Sequence, residues 1–139
     1  MKKRIYILVL VILMGNLLPV SAQEIDTYAT NILVLNSSIS QGDGFLQGAV
    51  SAAYTGSGCY AVYECTLQYL ASTGVWTTAS NTHVVRAYEP GRIKLISDNF
   101  YGLAVGTQYR YHVYAVVYNS DGVLVDADVA NSSAITYRG

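Results

Sequence analysis

One alternating segment, residues 109–118, constrains the fold of this chain more than any other feature. Successive side chains of a β-strand point to opposite faces. The odd-numbered residues are apolar or aromatic: Tyr109, Tyr111, Val113, Ala115 and Val117. The even-numbered residues include the charged and polar side chains: Arg110, His112, Tyr114, Val116 and Tyr118. A Gly-Thr corner precedes the segment, and an Asp-Gly turn follows it. The pattern predicts a central strand that buries its first set of residues.

The rest of the chain also has the pattern of β-structure. No segment has a sustained helical apolar period, and Gly, Pro, Asn and Asp separate short alternating segments. The predicted strands cover residues 30–40, 45–55, 59–72, 75–78, 83–88, 92–97, 109–118 and 123–129, with 133–137 as an extension of the last. About seven short strands in one domain favour an all-β, antiparallel, two-sheet β-sandwich.

The N-terminal residues predict export. Residues 1–4 are positively charged, residues 5–14 are apolar, and small residues at 20–22 form a cleavage site. We expect a signal peptide at 1–22 and a β-sandwich domain at 23–139. A membrane anchor is the rival interpretation, but the apolar run is short and Pro19 interrupts it. The product is predicted to be extracellular, released or held loosely at the cell surface, without stable membrane insertion.

The charge of the predicted mature chain argues against two kinds of partner. Removing Lys2, Lys3 and Arg4 leaves five cationic side chains against nine acidic ones, a net charge of −4. The five cations are scattered, so the chain lacks the basic patch that binds nucleic acid or anionic membranes.

Cys59 and Cys65 are the two cysteines. In an exported protein such a pair predicts a disulfide. A straight strand between them would separate their Cα atoms by about 20 Å, far beyond the ~7 Å limit for a bridge. The pair therefore forms a disulfide only if residues 60–64 make a loop. The alternative is two separate buried thiols.

Few residues suggest catalysis or metal binding. Asp121, Asp126 and Asp128 are the best candidates to share a Ca²⁺, but further ligands and a known spacing are missing, and a charged edge strand explains them equally. The two histidines are distant in sequence, and no nucleophile motif is present. We expect no enzyme activity, no metal site and no cofactor.

The polar face of the central strand is the candidate binding site. Arg110, His112, Tyr114 and Tyr118 are expected to point outward, across from Gln68. Exposed aromatic side chains beside polar groups suit a flat ligand, a glycan or a protein edge. Cross-strand pairing that only stabilises the sheet is the alternative.

Two segments carry a resemblance to a known family. Residues 102–115 resemble the corner and sixth strand of fibronectin type III domains, with Leu103, Gly106-Thr107, Tyr109 and an alternating run to Ala115. Residues 65–69, followed by Gly-Val-Trp at 74–76, are similar to that family's C–C′ hairpin. The family's buried Trp is missing, and residues 50–54 stand in its place. The resemblance implies an immunoglobulin-like sandwich.

The chain 23–139 also resembles a family of small secreted proteins from Gram-positive gut bacteria. The shared landmarks are Gly-Ser-Gly at 56–58, Thr-Leu-Gln at 66–68, Gly-Val-Trp at 74–76 and Gly-Thr-Gln-Tyr at 106–109. The family implies export but no activity. We therefore predict a non-enzymatic extracellular binding or adhesion module. A small secreted antimicrobial or toxin-like effector is the alternative, and a minimal hydrolase is a third hypothesis.

Overall fold

The computed structural model describes residues 31–139, and the predicted signal peptide lies outside the described residues. Within them the chain forms nine strands, which are numbered here in chain order. They are β1 (Ile32–Gln41), β2 (Phe45–Tyr54), β3 (Tyr60–Leu70), β4 (Trp76–Thr78), β5 (His83–Ala87), β6 (Lys94–Tyr101), β7 (Gln108–Tyr118), β8 (Leu124–Asn131) and β9 (Ile135–Thr136).

The strands form two antiparallel sheets. β1, β2 and β6 make a three-stranded sheet with β2 in the middle. β3 and β7 pair along most of their length at the centre of a six-stranded sheet. β4 and β5 pair with β3, while β8 and β9 pair with β7. The predicted all-β class with two antiparallel sheets is confirmed, and so is the central position of 109–118.

The inward face of β7 is buried as its alternation predicts. Tyr111, Val113, Ala115 and Val117 are fully enclosed, and Tyr109 is 5 % exposed. The surrounding side chains are equally inaccessible: Ala61, Tyr63, Cys65 and Leu67 from the adjacent β3, and Leu46, Val50, Ala52 and Tyr54 from β2 in the opposite sheet. Because apolar surface removed from water stabilises the folded state in proportion to its area, this layer supplies the main hydrophobic stabilisation.

Tyr111 crosses the core from one sheet to the other. A Cβ added at Gly48 of β2 would lie 2.5 Å from the Tyr111 ring, so the ring rests directly on the glycine backbone. The Tyr111 hydroxyl donates a hydrogen bond to the carboxylate of Asp98, which is the cross-strand partner of Gly48 on β6. The glycine thus provides the space through which the tyrosine reaches the opposite sheet.

A second tyrosine secures the corner before β7. The hydroxyl of Tyr109 accepts a hydrogen bond of 3.0 Å from the backbone N–H of Ala104. Gly106 takes a positive φ of 87°, and its N–H donates to the carbonyl of Tyr137 at 2.9 Å. A tyrosine at the start of a strand that bonds the backbone a few residues upstream is typical of Greek-key β-sandwiches.

Two of the differences from the predicted strand boundaries involve residues that bond Tyr111. β6 continues to Tyr101 instead of ending at Ser97, so Asp98 lies inside a strand and faces the core. The last strand is split, because Ser132 takes the place of a ladder residue. Its Oγ accepts from the N–H of Tyr111 at 2.8 Å, and its N–H donates to the Tyr111 carbonyl at 2.9 Å.

Candidate functional site

The five predicted binding residues lie on one surface, which we call the outer face. It consists of the even-numbered residues of β3 and β7 together with their neighbours on β4, β5 and β8, and it points away from the three-stranded sheet. The register places Gln68 opposite Arg110, Thr66 opposite His112, Glu64 opposite Tyr114 and Tyr60 opposite Tyr118. The predicted outward direction of these side chains follows from the burial of their odd-numbered neighbours.

Arg110 is held in a defined position at one end of the outer face. Its Nε donates a hydrogen bond of 2.7 Å to Oε1 of Gln68 on the adjacent strand. Its guanidinium carbon lies 4.5 Å from the ring centroid of Trp76, within the range of a cation–π contact. Partial burial lowers the pKa of Arg110, although an arginine stays charged at any physiological pH.

Trp76 was not among the predicted site residues. It enters the site because the β3–β4 hairpin folds it back opposite Leu70, one row beyond Gln68 and Thr78. The hairpin loop contains Gly74, whose φ of 83° suits a glycine. The sequence does carry a signal for this position, which is the tight Thr-Gly turn followed by the chain's one Trp.

His112 lies in the next row of the outer face. Its Nδ1 is 2.7 Å from Oδ1 of Asn131 on β8, which orients the ring. Thr66, its partner on β3, shares a hydrogen bond of 3.4 Å with the Thr82 hydroxyl. This end of the outer face therefore combines a guanidinium, an imidazole, amides and hydroxyls.

The opposite end of the outer face is aromatic. Tyr60 stacks on Tyr118 at a centroid distance of 5.2 Å, and Tyr88 lies 5.9 Å from Tyr60. Tyr114 stands between the two ends and is 37 % exposed. Its row contains exposed Val84 and Val129 on the flanking strands. Cross-strand tyrosine pairing, the alternative considered from sequence, thus applies to Tyr118 at this end.

The predicted disulfide between Cys59 and Cys65 is wrong for this structure. Both cysteines are free. Residues 60–64 belong to β3 and are extended, so the loop that a bridge requires does not form. Cys65 is buried in the core beside the Tyr111 hydroxyl, while Cys59 is half-buried before the strand. The alternative of two separate thiols is the one that the structure supports.

Four chemically active side chains on four different strands form a chain of contacts that runs from the buried Cys65 and Tyr111 through Asp98 to the exposed His83. Nδ1 of His83 is 2.8 Å from Oδ2 of Asp98, which also accepts from Tyr111, and the Cys65 thiol lies next to Tyr111. The residue types match a nucleophile, a base and an acid. However, burial raises the pKa of Cys65 to about 11, so the thiol is protonated and inaccessible at neutral pH. The cluster joins the two sheets.

The three aspartates considered for Ca²⁺ do not converge. Oδ2 of Asp126 accepts from the backbone N–H groups of Asn31 and Ile32 at 2.7 and 3.0 Å, tying β8 to the start of β1. Asp128 accepts from the N–H of Val129, and Asp121 lies in the exposed turn after β7. Within 31–139, no three His, Cys, Asp or Glu side chains are placed to hold a metal ion.

Comparison with known proteins does not identify the chain. No protein-family model, curated protein or solved structure matches it. Among the residues that the structure describes, no helix is both long and apolar enough to cross a membrane.

Proposed function

We propose that this protein is a non-enzymatic extracellular binding module, and that the outer face recognises a glycan or the surface of another protein. The observation that carries the proposal is the Arg110 side chain, which is held by Gln68 and stacked on Trp76 without an acidic partner among residues 31–139. A surface cation that is already fixed in position can bind a ligand without a further loss of side-chain entropy.

Preorganisation is the physical argument. Binding immobilises side chains, and each ordered side chain costs about 0.5–1.5 kcal/mol of affinity. Arg110, His112 and Tyr118 already have partners on neighbouring strands, so much of that cost is met during folding. Aromatic and arginine side chains also carry much of the energy in known interfaces.

The proposal also includes the fold family of the domain and the location of the protein. The domain is of the fibronectin type III or immunoglobulin-like kind, as supported by the tyrosine corner at Tyr109 and by a sheet of β1, β2 and β6 facing one built on β3 and β7. The protein acts outside the cell, as supported by the charged, apolar and small-residue pattern of residues 1–22.

A glycan and surface-protein array tests the function. We expect wild-type protein to give a specific hit, and Tyr114→Ala and Tyr118→Ala to fold normally and weaken that hit about tenfold or more. Tyr101→Ala is the matched control, because Tyr101 is an exposed tyrosine of β6 in the other sheet. An array without hits, or equal loss in the control, contradicts the proposal.

A further inference from the structure

The terminal nitrogens of Arg110 are available to a ligand. Nε is occupied by Gln68, but no other hydrogen bond or ion pair of the guanidinium occurs among residues 31–139. Glu64 is the acidic residue that β3 contributes to the outer face. It lies four residues from Gln68, the partner of Arg110, which is about 13 Å along the strand and too far for an ion pair. Arg110 is thus a positive charge whose two terminal amino groups have no hydrogen-bond or ion-pair partner in the part of the chain that the structure describes.

The stack on Trp76 determines how that charge is presented. The guanidinium carbon lies over the indole ring, 4.5 Å from its centroid, and Gln68 accepts from Nε at 2.7 Å. The remaining edge carries the two terminal amino groups. This is the edge that forms two parallel hydrogen bonds with a carboxylate, and an ordered guanidinium loses little entropy in doing so.

The neighbouring groups suit a sugar. Nδ1 of His112 is hydrogen-bonded to Oδ1 of Asn131, and Nε2 of the same ring has no polar partner among residues 31–139. Thr78 presents an exposed hydroxyl in the row of Arg110, whereas Thr66 is buried and its hydroxyl is bonded to that of Thr82. Neither a carboxylate nor a second cation stands in the three rows from Thr66 to Trp76. Uncharged donors and acceptors around a single arginine match ring hydroxyls around a single carboxylate.

We propose that the Arg110–Trp76 end of the outer face is a subsite for a carboxylate-bearing sugar, such as a uronic or sialic acid residue of an acidic glycan. The inference rests on the proposed function, because it names the ligand class of the same face. Arg110 pairs with the carboxylate through its terminal nitrogens, while His112 and Thr78 bond the hydroxyls. The guanidinium of Arg110 is half-buried and therefore only partly hydrated. Less water has to be removed from it when it pairs with a carboxylate, which lowers the desolvation cost of binding.

The test compares acids with matched neutral sugars by isothermal titration calorimetry. The probes are trigalacturonic acid with its methyl ester, and sialyllactose with lactose. We expect at least one acid to bind about tenfold or more tightly than its neutral form. The affinity should fall as salt is raised. Equal binding of acid and neutral forms overturns the subsite.

Variants locate the binding. Arg110→Gln should abolish the preference for the acid, and Arg110→Lys should lose about fivefold or more because it keeps the charge but not the paired donors. Trp76→Leu should weaken binding of the acid, because it removes the ring on which the Arg110 guanidinium lies. Arg86→Gln is the control, since Arg86 is an exposed cation on the outer face near its aromatic end. Equal loss in Arg86→Gln contradicts the assignment, as does unchanged binding in Arg110→Gln, with folding checked by circular dichroism.

The outcomes separate the two proposals. If neither acid binds but the array still yields a ligand that requires Tyr114, the subsite is wrong and the binding function stands. If the array yields nothing and neither acid binds, both proposals fail.

Discussion

Tyr111 and Tyr114 lie three residues apart on β7, yet the first is fully buried and the second is 37 % exposed. Tyr111 rests on Gly48 and bonds Asp98 across the core, while Tyr114 stands among exposed valines on the outer face. The same type of side chain thus fills the core on one face and is exposed to solvent on the other. The difference teaches that parity in the strand decides the role of a tyrosine here.

Truncating the two tyrosines gives the largest expected contrast. Tyr111→Ala removes a fully buried ring and the donor to Asp98, and should lower the free energy of unfolding by about 3–5 kcal/mol. Tyr114→Ala should change it by less than about 1 kcal/mol, because its ring is partly solvated. Urea titrations of both variants measure the difference. Similar losses in the two variants would contradict the division between the faces.

The contact at Gly48 gives the next largest effect. Gly48→Ala places a methyl group 2.5 Å from the Tyr111 ring, and should cost about 1–3 kcal/mol of stability through overpacking. Ala49→Val is the matched control, because it adds bulk at the next residue of β2, which points to the other face. The free energy of unfolding of the control should stay near wild type. A neutral Gly48→Ala would show that the ring can move aside.

Alkaline pH should weaken the inner face selectively. Burial raises the pKa of Cys65 from 9.0 to about 11 and that of Tyr63 from 10.0 to about 12. The unfolded chain therefore releases these protons first, so their contribution is complete below pH 9 and is lost as the pH rises through 11 and 12.

Cys65→Ala separates the thiol from the tyrosines. Its unfolding free energy should fall less steeply than that of wild type between pH 9 and 11, by about 2–3 kcal/mol over the range. Cys59→Ala, which removes the half-buried thiol before the strand, is the control for the loss of a cysteine side chain outside the core. Parallel curves for wild type and Cys65→Ala would argue against a buried thiol.

The smallest effect concerns the corner before β7. Tyr109→Phe removes the acceptor for the N–H of Ala104, and should cost about 1 kcal/mol. Tyr69→Phe is matched, because Tyr69 is the cross-strand partner of Tyr109 and its hydroxyl has no hydrogen bond among residues 31–139. Thermal unfolding should distinguish the two. Equal melting temperatures would show that the corner bond is replaceable by water.

Much of the fold followed from local patterns. The alternation of 109–118 predicted which side of β7 is buried, and the turn residues predicted most strand ends within a few positions. The end of β6 was misjudged because Asp98 and Asn99 are common turn residues. In the folded protein Asp98 accepts from Tyr111 and lies near His83, so a tertiary contact outweighs its local preference.

The candidate site was predicted in part. Residues Arg110, His112, Tyr114 and Tyr118 follow from strand parity alone, and Gln68 from the expected pairing of β3 with β7. Trp76 was missed because its contact with Arg110 depends on two hairpin partners and their register. The disulfide was wrong because extended residues 60–64 hold the two cysteines apart.

The sequence by itself determined the β-class of the chain and the two faces of its central strand, because side-chain alternation is a property of the local backbone. Only the tertiary structure decided that Tyr111 reaches Asp98 over Gly48, and that Arg110 lies on Trp76. These contacts join residues distant in the chain. Their geometry depends on sheet register and on the packing of two sheets, which no local pattern specifies.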